Sequence, residues 1–229
     1  MTLSHPFIFY SKYPQDLNHC LCFSENPYYI YDRMSMDYSF THIDNLISIG
    51  KYDEAITELN TILAGEPDDT EALWRIGVCF TEKNDPVRAM KALDFFFRFV
   101  QDHPQALEAR GCAFFKIGDY QQAREYLEQA EELQPDSSSI KRNLGVVYNQ
   151  IGMQKEGYER FKASYALNPD DYRTEYALAM AHIHFDEFDD AQKILLQMLS
   201  QQIPDDFRDL VDESYQWVKR KLARQNSGD

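Results

Sequence analysis

The side chains able to do chemistry are few and scattered. His182-Ile183-His184, followed by Asp186 and Asp189, assembles imidazoles and carboxylates of the kind that ligate zinc. Helical residues two apart point to different sides, so these imidazoles do not converge. The expectation is a core histidine at 182 beside a solvated acidic turn, with no metal. Cys20, Cys22, Cys79 and Cys112 show neither zinc-ligand spacing nor a dense disulfide pattern, and Cys79 and Cys112 read as small buried residues. The sequence contains no Gly-rich phosphate loop, no HExxH and no GxSxG elbow. The paired acids Asp68-Asp69 and Asp205-Asp206 fall at positions where helix capping explains them. Binding rather than catalysis is expected: no enzyme, no cofactor.

Charge narrows the partners. Lys plus Arg is 23 and Asp plus Glu is 38, a formal net charge of -15, so phosphate backbones and anionic lipid surfaces are repelled. Nucleic acid is not expected, and no apolar run approaches the roughly 20 residues that span a bilayer. The start, MTLSHPFIFYSKYP, lacks a basic n-region and is broken by Pro6 and Pro14, a poor signal peptide. With few cysteines, the default compartment is a reducing cytoplasm.

The elements that position these residues recur every 34 residues. Gly50, Asn84, Gly118, Gly152 and Asp186 precede a polar-aromatic turn into a helix. Five residues on stand the small Ala55, Ala89, Ala123, Gly157 and Ala191, and four further the large Leu59, Leu93, Leu127, Phe161 and Leu195. Seven before the turn come Ile43, Gly77, Gly111, Gly145 and Ala179, and four before it Leu46, Phe80, Phe114, Tyr148 and His182. Small residues let two helices approach while the large ones fill the space between. Gly50, Gly118 and Gly152 suit a left-handed helix end. The strings starting at Pro67, Pro135 and Pro169 stop one helix and cap the next, while the second repeat has its proline late, at Pro104.

This pattern resembles the tetratricopeptide repeat, a helix–turn–helix unit of the same period. The resemblance implies an all-α fold: a right-handed α-solenoid of about five repeats at 36–69, 70–103, 104–137, 138–171 and 172–204. Phe207, Leu210, Val211, Ser214, Val218 and Leu222 then form one face of a capping helix over 205–224, before a tail at 225–229. Residues 1–35 carry no helical period. They read as an aromatic-rich arm on the array or in its groove, as a disordered tail, or as sequence upstream of a true start at Met34 or Met36.

In this family the first helix of each repeat lines a concave groove. Carried onto this chain, the groove columns are Phe40, Trp74, Glu108, Arg142 and Tyr176; Asp44, Val78, Cys112, Val146 and Met180; and Ile47, Thr81, Phe115, Asn149 and Ile183. Ten of these fifteen are apolar or aromatic, which favours a protein or peptide partner. The alternatives are packing between neighbouring first helices, or cover by the N-terminal arm. Arg142, Arg173 and Asn149 should lie close together and could hold a carboxylate; the alternative is pairing with local acids such as Glu108 or Glu175. The family's carboxylate clamp for chaperone tails is incomplete, since only Asn143 and Arg173 match it. Phe95 should point to the convex face, where it could seed a homo-oligomer, or else pack on a neighbouring helix, while Phe97 and Phe99 fit core columns. Arg110 takes a column normally held by Leu: buried, it needs an acidic partner; on a rotated helix it is solvated. Two functional readings follow, an adaptor or chaperone holding an extended peptide and a structural subunit of an assembly. Secretion-system chaperones, similar in charge and groove character, are a special case of the first.

Overall fold

The computed structural model of the chain describes residues 40–227. The calls on the N-terminal arm, Cys20 and Cys22 lie outside them. The described chain is all helix and turn. α1 occupies 40–48, followed by α2 (Tyr52–Gly65), α3 (Thr70–Glu82), α4 (Pro86–Phe96), α5 (Pro104–Lys116), α6 (Tyr120–Leu133), α7 (Ser138–Gln150), α8 (Gln154–Leu167), α9 (Tyr172–His184), α10 (Phe188–Ser200) and α11 (Asp205–Ser227). Each odd-numbered helix from α3 to α9 packs on its successor and on the even-numbered helix before it, and α3, α5, α7 and α9 also lie side by side. This is an α-solenoid. α11 packs on α10 and runs to Ser227, three residues past the end expected from sequence.

One corner is used five times. Gly50, Gly118 and Gly152 have φ near +80°, and Asn84 and Asp186 join them at 60° and 59°. At each corner this residue's N–H bonds a carbonyl three residues back, and the next N–H reaches five back: Gly118 to Phe115 and Asp119 to Phe114, both at 3.0 Å. Asn84 and Asp186 repeat the geometry, with Asp85 to Phe80 and Glu187 to His182 at 2.9 Å. The left-handed residue thus closes a Schellman motif that satisfies the terminal carbonyls.

The interior of each hairpin is a small-against-large fit. A Cβ built on Gly145 would stand 2.5 Å from Phe161 Cε1, so only glycine lets α7 and α8 approach around that ring. Ala55, Ala89, Ala123 and Ala191 are fully buried, as are Leu59, Leu93, Leu127 and Leu195. Phe80 and Tyr148 are buried, but Phe114 is only half-buried and stacks on Tyr126 at 5.3 Å.

α4 departs from the columns. It ends at Phe96, which fills the core, and Phe97 caps it. Because the helix stops there, Phe99 swings out to 51% exposure and Phe97 is half-buried, contrary to their core columns.

Candidate functional site

The odd-numbered helices carry the expected groove residues, and polar bonds tie each of these helices to the next. Between α1 and α3, Asp44 accepts from Arg75 Nε at 2.7 Å and Nη2 at 2.9 Å, while Glu71 accepts from Nη1 at 2.6 Å. Burial pulls the Arg75 pKa down, but the two carboxylates lift it above its ordinary value. Its guanidinium also lies over the Phe40 and Trp74 rings at 4.6 and 4.3 Å. Between α3 and α5, Thr81 Oγ1 faces the Ala109 carbonyl at 3.4 Å and donates to Gly77 at 2.9 Å.

Between α5 and α7, Glu108 accepts from Ser139 at 3.2 Å and from Asn143 at 2.8 Å. Burial pushes the Glu108 carboxyl up despite these donors and the nearby Arg142. Asn143 also lies 3.3 Å from Cys112, whose thiol burial pushes well above the usual range. Between α7 and α9, Arg142 donates to Asp171, which also accepts from Thr174 at 2.7 Å. These partners hold the Asp171 carboxyl low against the opposing effect of burial. Between α9 and α11, the Tyr176 and Ser214 hydroxyls meet at 3.1 Å, and Tyr176 packs edge-on against Phe207.

Several expected groove residues are therefore spent on seams. Phe40 and Thr81 are buried, Tyr176 is covered by α11, and Arg142 is neutralised by Asp171 rather than left for a ligand. Of the expected Arg142–Arg173–Asn149 trio, the Arg142 side chain and the Arg173 main-chain N–H both donate to Asp171, the latter at 3.2 Å. Asn149 instead wedges between helices, its Oδ1 standing 2.3 Å from where a Cβ on Gly157 would be; this explains glycine in an otherwise alanine column. Arg173 is exposed and lies 5.8 Å over the Tyr172 ring. Its pKa is raised, burial notwithstanding, by Tyr172 beside it and by the more distant Glu82 and Tyr52.

What remains open is a half-buried apolar strip of Ile47, Trp74, Val78, Phe115, Val146, Met180 and Ile183. A cleft of about 190 Å³ interrupts it at the α7–α9 seam, with Met180, Ala181 and Phe185 as apolar lining and Asn149, Gln154 and His184 as polar lining. The three groove columns leave out Gln154, Ala181, His184 and Phe185 of this lining; Gln154, His184 and Phe185 stand at helix ends, where column position is not defined.

The other singled-out residues also find partners. His182 Nδ1 meets Glu187 at 2.7 Å, beside the Tyr158 hydroxyl at 3.3 Å, and among the described residues no group of three or more potential ligands could hold a metal ion. Burial and Glu187 push Tyr158 up to about 12. Arg110 is largely buried, pairs with Asp94 at 2.6 Å and lies between the Phe97 and Tyr126 rings, which realises the acidic-partner alternative. Phe95 is half-buried against Phe99, under the Arg98 guanidinium.

Tetratricopeptide-repeat family profiles match residues 40–94 and 104–137. The chain belongs to the tetratricopeptide-repeat proteins. Among relatives of this family, Tetratricopeptide repeat protein 13 of Homo sapiens is 32% identical over 128 residues, 54% of this chain and 15% of that protein. The BBSome complex member BBS4 of Bos taurus is 26% identical over 143 residues, 62% of this chain and 27% of that protein. The chain thus spans well under a third of either relative. A thermophilic tetratricopeptide-repeat protein from Thermus thermophilus shares the fold, with a TM-score of 0.67, 20% identity, and coverage of 78% of this chain and 97% of that one. Tetratricopeptide-repeat folds are in general protein–protein interaction modules that do no chemistry of their own.

Proposed function

We propose that the face formed by α1, α3, α5, α7 and α9 docks an extended segment of a partner protein, making this chain an adaptor or chaperone that works in the cytoplasm. The observation behind this reading is the α7–α9 cleft. Its apolar lining suits a partner's aliphatic or aromatic side chain, and the Asn149 and Gln154 carboxamides beside it can pair with a main-chain amide. Exposed Arg173 offers a guanidinium to an acidic residue of the same segment. Among the described residues no helix is long and apolar enough to cross a membrane. The test is affinity purification with mass spectrometry, comparing wild type with a Phe115→Ala, Met180→Ala double variant that keeps a cooperative thermal transition. Partners recovered by wild type should be lost from the variant; equal recovery removes the face from consideration.

A second reading, a structural subunit of an assembly, draws on the outward Phe99 and on the place of BBS4 in a complex. Here light scattering decides. A Phe99→Asp variant with the mass of wild type counts against self-assembly through that surface.

A further inference from the structure

Glu175 is a fully buried carboxyl in α9, in a column that holds Leu73 in α3 and Leu107 in α5. One of its oxygens accepts from Gln197 at 3.0 Å and from Gln201 at 3.2 Å, both carboxamides. Its other oxygen is buried with no hydrogen-bond partner. Lys141, which holds the same column in α7, is instead matched by Glu131 at 2.7 Å.

The charges that bear on Glu175 from the turn before α9 are Asp170 and Asp171, both negative. Cations of the packed elements pair elsewhere: Arg142 of α7 with Asp171, Arg160 and Lys162 of α8 with Glu131 and Glu159, and Arg208 of α11 with the carbonyls of Leu199 at 2.7 Å and Gln201 at 2.6 Å. α10 meets Glu175 through the neutral Gln197, while its Lys193 is paired with Asp190 at 2.9 Å. Gln201 is therefore a joint, its side chain held by α9 and its main chain held by α11.

We propose that Glu175 is a proton-linked latch on the capping helix: protonated, it holds the α9–Gln201–α11 joint closed, and ionised, it loosens it. A neutral carboxyl fits an apolar seam with two carboxamides. A carboxylate there faces two further acids with one oxygen unsolvated. Burial is the largest effect on this carboxyl; with Asp170 and Asp171 it outweighs the Gln201 carboxamide, whose bond favours the ionised form, and pushes the group up from its ordinary value. The native state therefore holds the proton more tightly than the unfolded chain does. The stabilisation is complete below the ordinary glutamate range and is lost as pH rises through the elevated native value. As the joint loosens, α11 uncovers Val211 and Val218 and the α10 surface beneath them.

The test is hydrogen exchange of the α11 amides in the full chain from pH 5 to pH 8, corrected for intrinsic rates. Wild type should show a rise in opening on the order of tenfold across that range. Glu175→Gln should flatten the profile, and Glu175→Leu, which installs the side chain found in α3 and α5, gives a second non-titrating seam if the glutamine variant folds poorly. A wild-type profile parallel to that of either variant overturns the proposal.

Discussion

Asn143 of α7 donates to Glu108 of α5 at 2.8 Å, and this bond joins the first helices of two adjoining repeats through a carboxyl that burial has already pushed up. Asn143→Leu removes the donor and should destabilise the protein by about 1–3 kcal/mol, the usual result of stripping a buried polar group of its partner. The sign with pH follows from the direction of the Glu108 shift. The native state favours the protonated acid, so stability falls as pH rises through the native value, and losing Asn143 steepens that fall. Urea unfolding at pH 5 and pH 8 measures it: the variant's deficit should be larger at pH 8.

His103 caps α5 by accepting from the Ala106 N–H at 3.2 Å, a task only the unprotonated nitrogen performs. It also packs against the Trp74 and Phe96 rings. Burial, with a smaller contribution from Arg75, lowers its pKa. Its contribution is therefore present above the ordinary histidine value and lost as pH falls through the depressed native one. His103→Asn, another cap residue, should lower the thermal midpoint by a few degrees at most at pH 8 and reduce the loss between pH 7 and pH 5.

Gly145→Ala forces a methyl into the Phe161 ring and should cost about 1–3 kcal/mol by overpacking. Combining it with Phe161→Ala, itself a loss of about 3–5 kcal/mol, should give less than the sum, since the two changes share one space. A double-mutant cycle by chemical denaturation reads the coupling; strict additivity would contradict the fit.

Arg110 and Asp94 respond asymmetrically. Asp94→Asn leaves a mostly buried guanidinium without its anion and should destabilise, whereas Arg110→Leu restores the usual residue of that column and should be neutral or stabilising within about 1 kcal/mol. Thermal midpoints of the two single variants make the comparison.

The fold is legible in the sequence because its rules are steric and periodic. The corner glycines and the Gly145–Phe161 fit each follow from one residue type at one spacing. That Asn84 and Asp186 adopt the same left-handed corner is the logical extension, since short polar side chains tolerate that region. The failures come where a helix ends or a side chain is long. Phe99 fits a core column only if α4 continues, and α4 stops at Phe96. Arg142 and Asp171 pair because long side chains bridge adjoining helices, a choice of rotamer that column position does not encode. Phe114 departs from its core column for a similar reason: its ring lies on Tyr126 at the surface of the hairpin, so its removal should cost less than that of Phe161.

The five Schellman corners have a consequence for how such a chain grows or shrinks. Each is the same ring of main-chain bonds at the same interval, so excising residues 118–151 would join Ile117 to Gly152 and rebuild an equivalent bend, with Gly111 brought against Phe161. Length in this molecule is a modular quantity, open to duplication or loss of whole units without re-engineering any junction.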